Sequence, residues 1–246
     1  MRILILTLSL YCTVAVNAQN RTVENRPYTD LRKFHLGVLV GTHVQDIEFN
    51  NVGLHSYLDE NGKTQQALIT TDQDRWDQGF NVGVLGEYRL NTYFQFRIAP
   101  ALYFGTRHLT FRNLQPDQNT EEATYKHEEL KSVYFSTALE LIAAAPRYNN
   151  HRPYVMLGLN PMLNLSSNND EIIKLKSSDM YLESGIGCDF YLPYFKLRPE
   201  IKFLYSLTDC IDQNHVNSIK DKSIIPYTTS VNRGKSKMIV LTFYFE

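Results

Sequence analysis

Charged side chains occur at every second position in several stretches of this 246-residue sequence. Between Lys196 and Lys202, for example, charged residues alternate with Leu197, Pro199 and Ile201. Ten residues in five stretches share this alternation: Glu87, Arg89, Arg97, Glu140, Glu183, Asp189, Lys196, Arg198, Glu200 and Lys202. Five acids and five bases on one enclosed face would have to pair, because an unpaired buried charge is costly. We therefore predict a structural ion-pair network; a route for protons or ions is the alternative.

Catalytic and metal-binding patterns are weak by comparison. The spacing of the seven histidines matches no metal site, and no serine lies in a G-x-S-x-G turn. We predict no catalytic residue, no metal and no cofactor, with His108 and His127 solvated in an outer loop. Clustered acids at Asp72, Asp74 and Asp77 could offer oxygens to calcium, but the segment lacks the glycine and final glutamate of an EF-hand loop. A solvated acidic face is the favoured interpretation.

The residues around these charges have the period of two that is typical of β-strands. Eight segments of about ten to fourteen residues carry apolar or aromatic side chains on one parity and charged, small or glycine residues on the other. They are residues 34–44, 79–90, 93–104, 130–143, 153–164, 180–191, 195–206 and 236–245. Their length approaches the ~9 to 11 residues that a tilted membrane strand needs and exceeds the ~5 to 6 usual in soluble sheets.

The connections between the segments alternate between long and short. Four are long, at 45–78, 105–129, 165–179 and 207–235, and three are short, at 91–92, 144–152 and 192–194. This rhythm is typical of outer-membrane barrels, and aromatic residues gather at the short connections as an interfacial girdle requires. A soluble sandwich or lipocalin-like cup is the alternative. We predict an all-β, eight-stranded, antiparallel up-and-down transmembrane barrel whose lumen the ten charged residues fill.

The N-terminus has the features of an export signal. A basic start at Arg2 precedes an apolar run from Ile3 to Val16, too short to span a bilayer, and Val16-Asn17-Ala18 suits cleavage before Gln19. We predict a signal peptide at 1–18, a periplasmic leader at 19–33 and the barrel at 34–246. The leader is either disordered or a docking segment for a periplasmic partner. Removing Arg2 leaves 24 basic and 26 acidic residues, which argues against a nucleic-acid partner.

Two cysteines and two prolines test this layout. Cys188 lies low on the sixth strand and Cys210 follows the top of the seventh, so their levels differ by roughly 40 Å and no intramolecular disulfide is expected. Pro100 and Pro199 fall inside strands three and seven, where a closed barrel has no free edge. We predict that both lie at β-bulges.

The first strand also carries a family resemblance. Phe34-His35-Leu36-Gly37-Val38-Leu39-Val40-Gly41, followed by Asp46-Ile47-Glu48-Phe49, resembles the opening of the PorT family. With the signal ending at Ala18-Gln19, the loop rhythm and the closing strand, the similarity covers essentially the whole mature chain. It implies an eight-stranded outer-membrane barrel required for type IX secretion in Bacteroidetes. It carries over no catalytic residue.

Three functions follow in order of preference. The first is a non-catalytic secretion component with periplasmic termini, in contact with outer-membrane lipid and with other secretion-system subunits on the periplasmic side or at the outer loops. The second is a stand-alone barrel with an adhesion or resistance role in its outer loops. The third is a lipid-modifying barrel enzyme, with His108, His127 and Ser136 as its candidate residues.

Overall fold

The computed structural model describes residues 23–58, 62–114, 124–166, 171–219 and 221–246. The predicted signal peptide at 1–18 and the start of the leader at 19–22 lie outside the described residues. Within the described part, no helix is long and apolar enough to cross a membrane.

Within the described residues, ten strands form one sheet. In chain order they are β1 (Phe34–Asn51), β2 (Leu54–Leu58), β3 (Thr64–Asp72), β4 (Asp77–Arg89), β5 (Phe94–Asn113), β6 (Thr124–Ala144), β7 (His151–Asn164), β8 (Ser178–Tyr191), β9 (Lys196–Ser206) and β10 (Val231–Phe245). Eight of them lie side by side in the order β5-β4-β1-β10-β9-β8-β7-β6, and β6 also pairs with β5, which closes the ring. Every neighbouring pair in this ring is antiparallel. The predicted eight-stranded up-and-down barrel is confirmed.

The barrel has two different ends. At the short-turn end lie residue 246, the start of β1 and the connections 90–93, 145–150 and 192–195. At the long-loop end, strands β2 and β3 form a hairpin, and β3 continues the sheet along the upper part of β5. The predicted strand limits agree with the structure to within two residues at the short-turn end. At the long-loop end β1, β5, β6 and β10 are five to nine residues longer than predicted.

A band of exposed apolar side chains surrounds the half of the barrel nearest the short turns. On β5 the outward residues from Phe94 to Phe104 are apolar, and the next four are Thr106, His108, Thr110 and Arg112. Eleven residues of a strand tilted by about 45° rise roughly 25 Å, the height of the apolar band on known membrane barrels. Phe94 to Phe104 therefore marks the membrane-spanning height of the wall.

Above this band the parity of the apolar residues reverses. On β5 the inward residues Leu109 and Phe111 are fully buried while the outward ones are polar, and on β1 Ile47 is buried between Asp46 and Glu48. Here the surroundings change from lipid to water, so apolar side chains face inward as in a soluble sheet. The prediction of a 34-residue connection at 45–78 was wrong, because strands β1, β2 and β3 occupy most of it.

The prediction that Pro100 and Pro199 lie at bulges was also wrong. Pro100 pairs in register with Thr137 of β6, and Pro199 pairs with Phe243 of β10. On the other side of Pro100, the pairing of β5 with β4 is interrupted between the pairs Gly83–Ala101 and Gly86–Ile98. The register is the same before and after this gap. The pairing of β9 with β8 is interrupted at Pro199 in the same way, again without a change of register. An antiparallel residue directs its N–H to one neighbour only, so each proline costs bonding on one side without displacing the strand.

Candidate functional site: the lumen and the two ends of the barrel

Arg97 lies at the centre of the lumen in the half nearest the short turns, which we call the lower half, and its side chain is fully buried. Its Nη1 is 2.8 Å from Glu140 Oε2 and 2.9 Å from Glu200 Oε2, and its Nε is 3.3 Å from Glu87 Oε2. The guanidinium also lies 4.4 Å from the centre of the Tyr244 ring. Three carboxylates and an aromatic face thus compensate one buried cation.

A second group of ion pairs lies closer to the short turns. Arg198 Nη1 is 2.6 Å from both Glu87 Oε2 and Glu246 Oε1, and its Nε is 2.6 Å from Asp189 Oδ1. Lys196 Nζ lies 2.5 Å from Glu246 Oε2. Glu87 therefore joins this group to the one around Arg97.

Lys202 links the network to its uppermost acids. Its Nζ lies 2.9 Å from Glu140 Oε1 and 3.7 Å from Glu183 Oε2. Asn160 Nδ2 also donates to Glu183 Oε2 at 3.2 Å. Among the described residues the network holds six carboxylates and four Lys or Arg cations, with His35 Nδ1 3.4 Å from Glu246 Oε2. It is more acidic than the five-to-five balance that the sequence predicts.

The structure brings together nine of the ten predicted lumen residues and leaves out Arg89. Arg89 is the last residue of β4, and its Nη1 donates to the carbonyl oxygen of Asp30 at 2.8 Å. Arg89 occupies an inward-facing position of β4. Because β4 ends here, at the rim of the barrel, its side chain contacts the leader instead of entering the lumen.

Sequence reasoning missed three members of the network. Glu246 follows the last strand, where the alternation gives no signal. Tyr154 and Tyr244 donate their hydroxyls to Glu200, at 2.6 and 2.9 Å. Tyr244 and Tyr191 lie among the aromatic residues near the short connections, but both are buried inside the barrel instead of joining the interfacial girdle, because their positions in the alternation face the lumen. A Cβ at Gly187 would collide with the ring of Tyr154, so this glycine lets the phenol reach Glu200.

The leader crosses the short-turn end as an ordered strap, which we define as residues 23–33. Asp30 is its main anchor. The Tyr191 hydroxyl donates to Asp30 Oδ1 at 2.6 Å, and Arg152 and Arg147 lie 3.6 and 4.0 Å from the same carboxylate. Arg26 Nη1 donates to the Glu246 carbonyl oxygen at 2.8 Å. The strap covers this mouth of the lumen and binds the barrel's own turns. The sequence predicts either a disordered leader or a segment that docks a periplasmic partner, and neither prediction includes this contact with the barrel.

The lumen above the network is filled mainly by apolar and aromatic side chains, with the buried polar residues Asn81, Ser136 and Asn160 among them. On β5 the inward series continues from Arg97 through Ala99, Ala101 and Tyr103 to Arg107. The same layer contains Leu39, Leu85, Tyr134, Ala138, Met162, Tyr181, Leu204, Met238 and Val240. This layer separates the ion-pair network from the long-loop end.

Arg107 lies above this layer and is fully buried with neutral partners. Its Nε donates to Gln45 Oε1 at 3.1 Å, its Nη2 donates to Ser236 Oγ at 2.9 Å, and the guanidinium lies 5.7 Å from the centre of the Tyr134 ring. Among the described residues, no carboxylate oxygen lies within 4.0 Å of its nitrogens. Arg107 is therefore electrostatically unlike Arg97.

An apolar cap closes the long-loop end. It comprises Ile47, Ala67, Ile69, Leu109, Phe111, Leu130, Ile172, Ile173, Leu175, Cys210, Ile211 and Val231. Glu128 ties the segment after β7 to β6 by accepting from the backbone N–H groups of Ile172 and Ile173, and burial raises the pKa of this carboxyl. Burial also raises the pKa of the Cys210 thiol to about 12. Cys188 and Cys210 are both free thiols.

The candidate enzyme residues lie apart from one another. Ser136 Oγ donates to Asn160 Oδ1 at 2.6 Å inside the lumen. His108 and His127 lie on the outer faces of β5 and β6, not in a loop as predicted. His108 Nδ1 is 2.8 Å from Asp77 Oδ1, and His127 Nδ1 is 3.1 Å from Thr110 Oγ1. Asp77 also accepts from Gln73 Nε2. The described residues contain no group of three or more His, Cys, Asp or Glu that could hold a metal ion.

Comparison with known proteins agrees with this architecture. Residues 17–212 match the family model described as outer membrane protein beta-barrel domain. The search of curated proteins found no match. Among solved structures, the outer membrane protein OprG of Pseudomonas aeruginosa is similar with a TM-score of 0.50 and 14% identity, over 87% of this chain and 94% of that chain. Neisserial surface protein A is similar with a TM-score of 0.41 and 10% identity, over 87% and 98%. The attachment invasion locus protein Ail of Yersinia pestis has a TM-score of 0.36 and 12% identity, over 87% and 99%.

Proposed function

This chain belongs to the outer membrane protein beta-barrel domain family, and from that premise we propose that it is a non-catalytic, non-conducting component of type IX protein secretion. Its location is the outer membrane. In the proposed orientation the termini and the strap face the periplasm, and the apolar cap faces outward, because short turns are periplasmic in barrels of this kind.

The observation that carries the proposal is the filling of the barrel along its whole height. The strap lies across one mouth, the ion-pair network and the apolar layer fill the lumen, and the cap closes the other mouth. An eight-stranded barrel has an interior just wide enough for side chains. A lumen filled by the described side chains leaves the strap, the outer wall and the outer loops as the surfaces available for function.

The resemblance of Phe34–Gly41 and Asp46–Phe49 to the PorT family supports secretion as the process. The strap supports a periplasmic contact, since it presents the exposed residues Glu24, Pro27 and Tyr28 beneath the barrel. Partners would be other secretion-system subunits that meet this surface or the outer loops.

Deleting the gene and measuring surface delivery of cargo with a C-terminal sorting domain tests this proposal. We expect cargo to be retained in the cell envelope and delivery to return with the wild-type gene. An outer-membrane protein without a sorting domain serves as the control and should reach the surface normally. Unimpaired cargo delivery in the deletion strain would refute the secretion role.

A second candidate is a stand-alone barrel with an adhesion or resistance role. The feature that favours it is the height of the long-loop end, where β1, β5 and β6 rise beyond the apolar band and the β2–β3 hairpin packs against the cap. A raised and internally packed surface of this kind suits contact with the cell's surroundings. Normal cargo secretion together with reduced attachment or resistance in the deletion strain would favour it.

A further inference from the structure

A groove lies on the outer wall where the apolar band ends. It runs across β4, β5 and β6 beneath the segment that leads into β4, and its volume is about 730 Å³. Because it straddles the boundary of the band, it contacts both the acyl-chain region and the headgroup region of a bilayer.

The lower half of the groove is apolar. Phe80 and Phe104 stack with their ring centres 4.9 Å apart and their planes at 18°, and Val133 continues the surface on β6. Trp76, the single tryptophan, lines the groove as well and is 43% exposed. These side chains belong to the lipid-facing wall, so the groove opens sideways toward the membrane.

The upper half of the groove is lined by basic residues. Arg75, Lys131 and His108 border it, and the side chain of Arg75 is 68% exposed. Asp77 also lines it, but its carboxylate is turned inward, with its side chain 5% exposed. That carboxylate accepts from the backbone N–H of His108 at 2.7 Å, besides the contacts to His108 Nδ1 and Gln73 Nε2. Arg75 Nε also donates to Asp77 Oδ1 at 3.3 Å, but most of the Arg75 side chain is exposed, and Lys131 is exposed as well. Both permanent cations therefore reach the surface.

We propose that this groove binds a phosphate-bearing lipid of the outer leaflet. Its phosphate would lie against Arg75 and Lys131, and an acyl chain would lie along Phe80 and Phe104. Arginine and lysine are the usual donors to phosphate, and aromatic side chains favour the interface. The lateral opening and apolar floor favour a lipid over a free anion, because a soluble phosphate would leave the aromatic half of the groove unoccupied.

The test compares two double variants of the full-length mature barrel in detergent. R75Q/K131Q removes the two cations of the groove. R112Q/R233Q is the matched control: it removes the same charge from exposed outward positions of β5 and β10 that do not line the groove. All three proteins are first checked for the heat-dependent gel mobility of a folded barrel, which surface substitutions should preserve.

Native mass spectrometry then measures retention of lipid A that carries two phosphates and of the same lipid after dephosphorylation. The wild type and R112Q/R233Q should retain the phosphorylated lipid, and R75Q/K131Q should bind it at least about tenfold more weakly, the effect of losing one charge-assisted hydrogen bond or more. Equal retention by both double variants, equal weakening in both, or equal wild-type retention of the dephosphorylated lipid would each overturn the proposal.

Discussion

At the scale of single residues, what distinguishes the buried charges is the compensation around each one. Arg97 faces three carboxylates, whereas Arg107 faces an amide, a hydroxyl and an aromatic ring. Removing one partner of a buried ion pair strands the opposite charge and costs about 3 to 5 kcal/mol. Removing a buried cation with neutral partners relieves its own desolvation instead.

We therefore expect opposite outcomes for the same substitution at these two arginines. R97M should lower the free energy of unfolding by about 3 kcal/mol or more, because Glu87, Glu140 and Glu200 lose their shared cation. R107M should leave it unchanged or raise it, despite the loss of the hydrogen bonds to Gln45 and Ser236. Urea titration of the barrel folded in detergent measures both. Equal losses in the two variants would contradict this distinction between Arg97 and Arg107.

Cys210 offers a chemical test of the cap. With a pKa of about 12, about one thiol in ten thousand is ionised at pH 8, and its side chain is also sheltered. In a C188S background, we expect iodoacetamide to leave folded Cys210 unmodified at pH 8 and to modify it rapidly once the protein is denatured. Labelling of the folded protein at the rate of a free thiol would mean that the cap is open.

The residues of the network show how far alternation alone can predict a site. Parity places nine of the ten predicted residues in the lumen, because inward and outward positions alternate without a register break through the band. It misplaces Arg89, because a side chain at a strand end is free to reach outside the lumen. It cannot find Glu246, which lies beyond the last strand and is held there by Arg198 and Lys196.

At the scale of elements, the strands could be predicted where lipid surrounds them and not where water does. Within the band the outward residues are apolar, and this signal ends at Phe104 on β5 and near Val44 on β1. Above the band the strands continue, but their apolar residues face inward and their polar residues face outward, so the pattern that marks the strands within the band ends there. In these extended parts of the strands, the apolar residues Ile47, Leu109 and Phe111 face inward, as apolar residues do in a soluble sheet.

The strap was not predictable in its docked form, because most of its contacts join residues more than a hundred positions apart. Its anchoring can be measured. D30A removes the acceptor of Tyr191 and the partner of Arg152, a loss of about 1 to 3 kcal/mol for a charged hydrogen bond. We expect trypsin to cut D30A after Arg32 or Lys33 at least about tenfold faster than the wild type.

E24A is the control for this experiment, because Glu24 is an exposed acid of the same strap. It should be cut at the wild-type rate, and the barrel strands should stay intact in all three proteins. If D30A and the wild type are cut at the same rate, Asp30 does not anchor the strap.

At the scale of the whole molecule, the barrel is a closed body with three successive layers inside it. The ion-pair network lies behind the strap, the apolar and aromatic layer fills the middle, and Arg107 lies beneath the cap. Such a molecule acts through its outer wall and its two ends. Both the proposed secretion role and the proposed lipid site lie on these surfaces.

The most direct test of this account is ion conductance of the purified mature barrel in a planar lipid bilayer, under an applied potential in concentrated potassium chloride. The filled lumen predicts a flat current trace for the wild type, with insertion verified by protease protection of the same membranes. Stable, stepwise channels from the inserted wild-type protein would contradict the account, because they would require a continuous aqueous path through the network, the apolar layer and the cap.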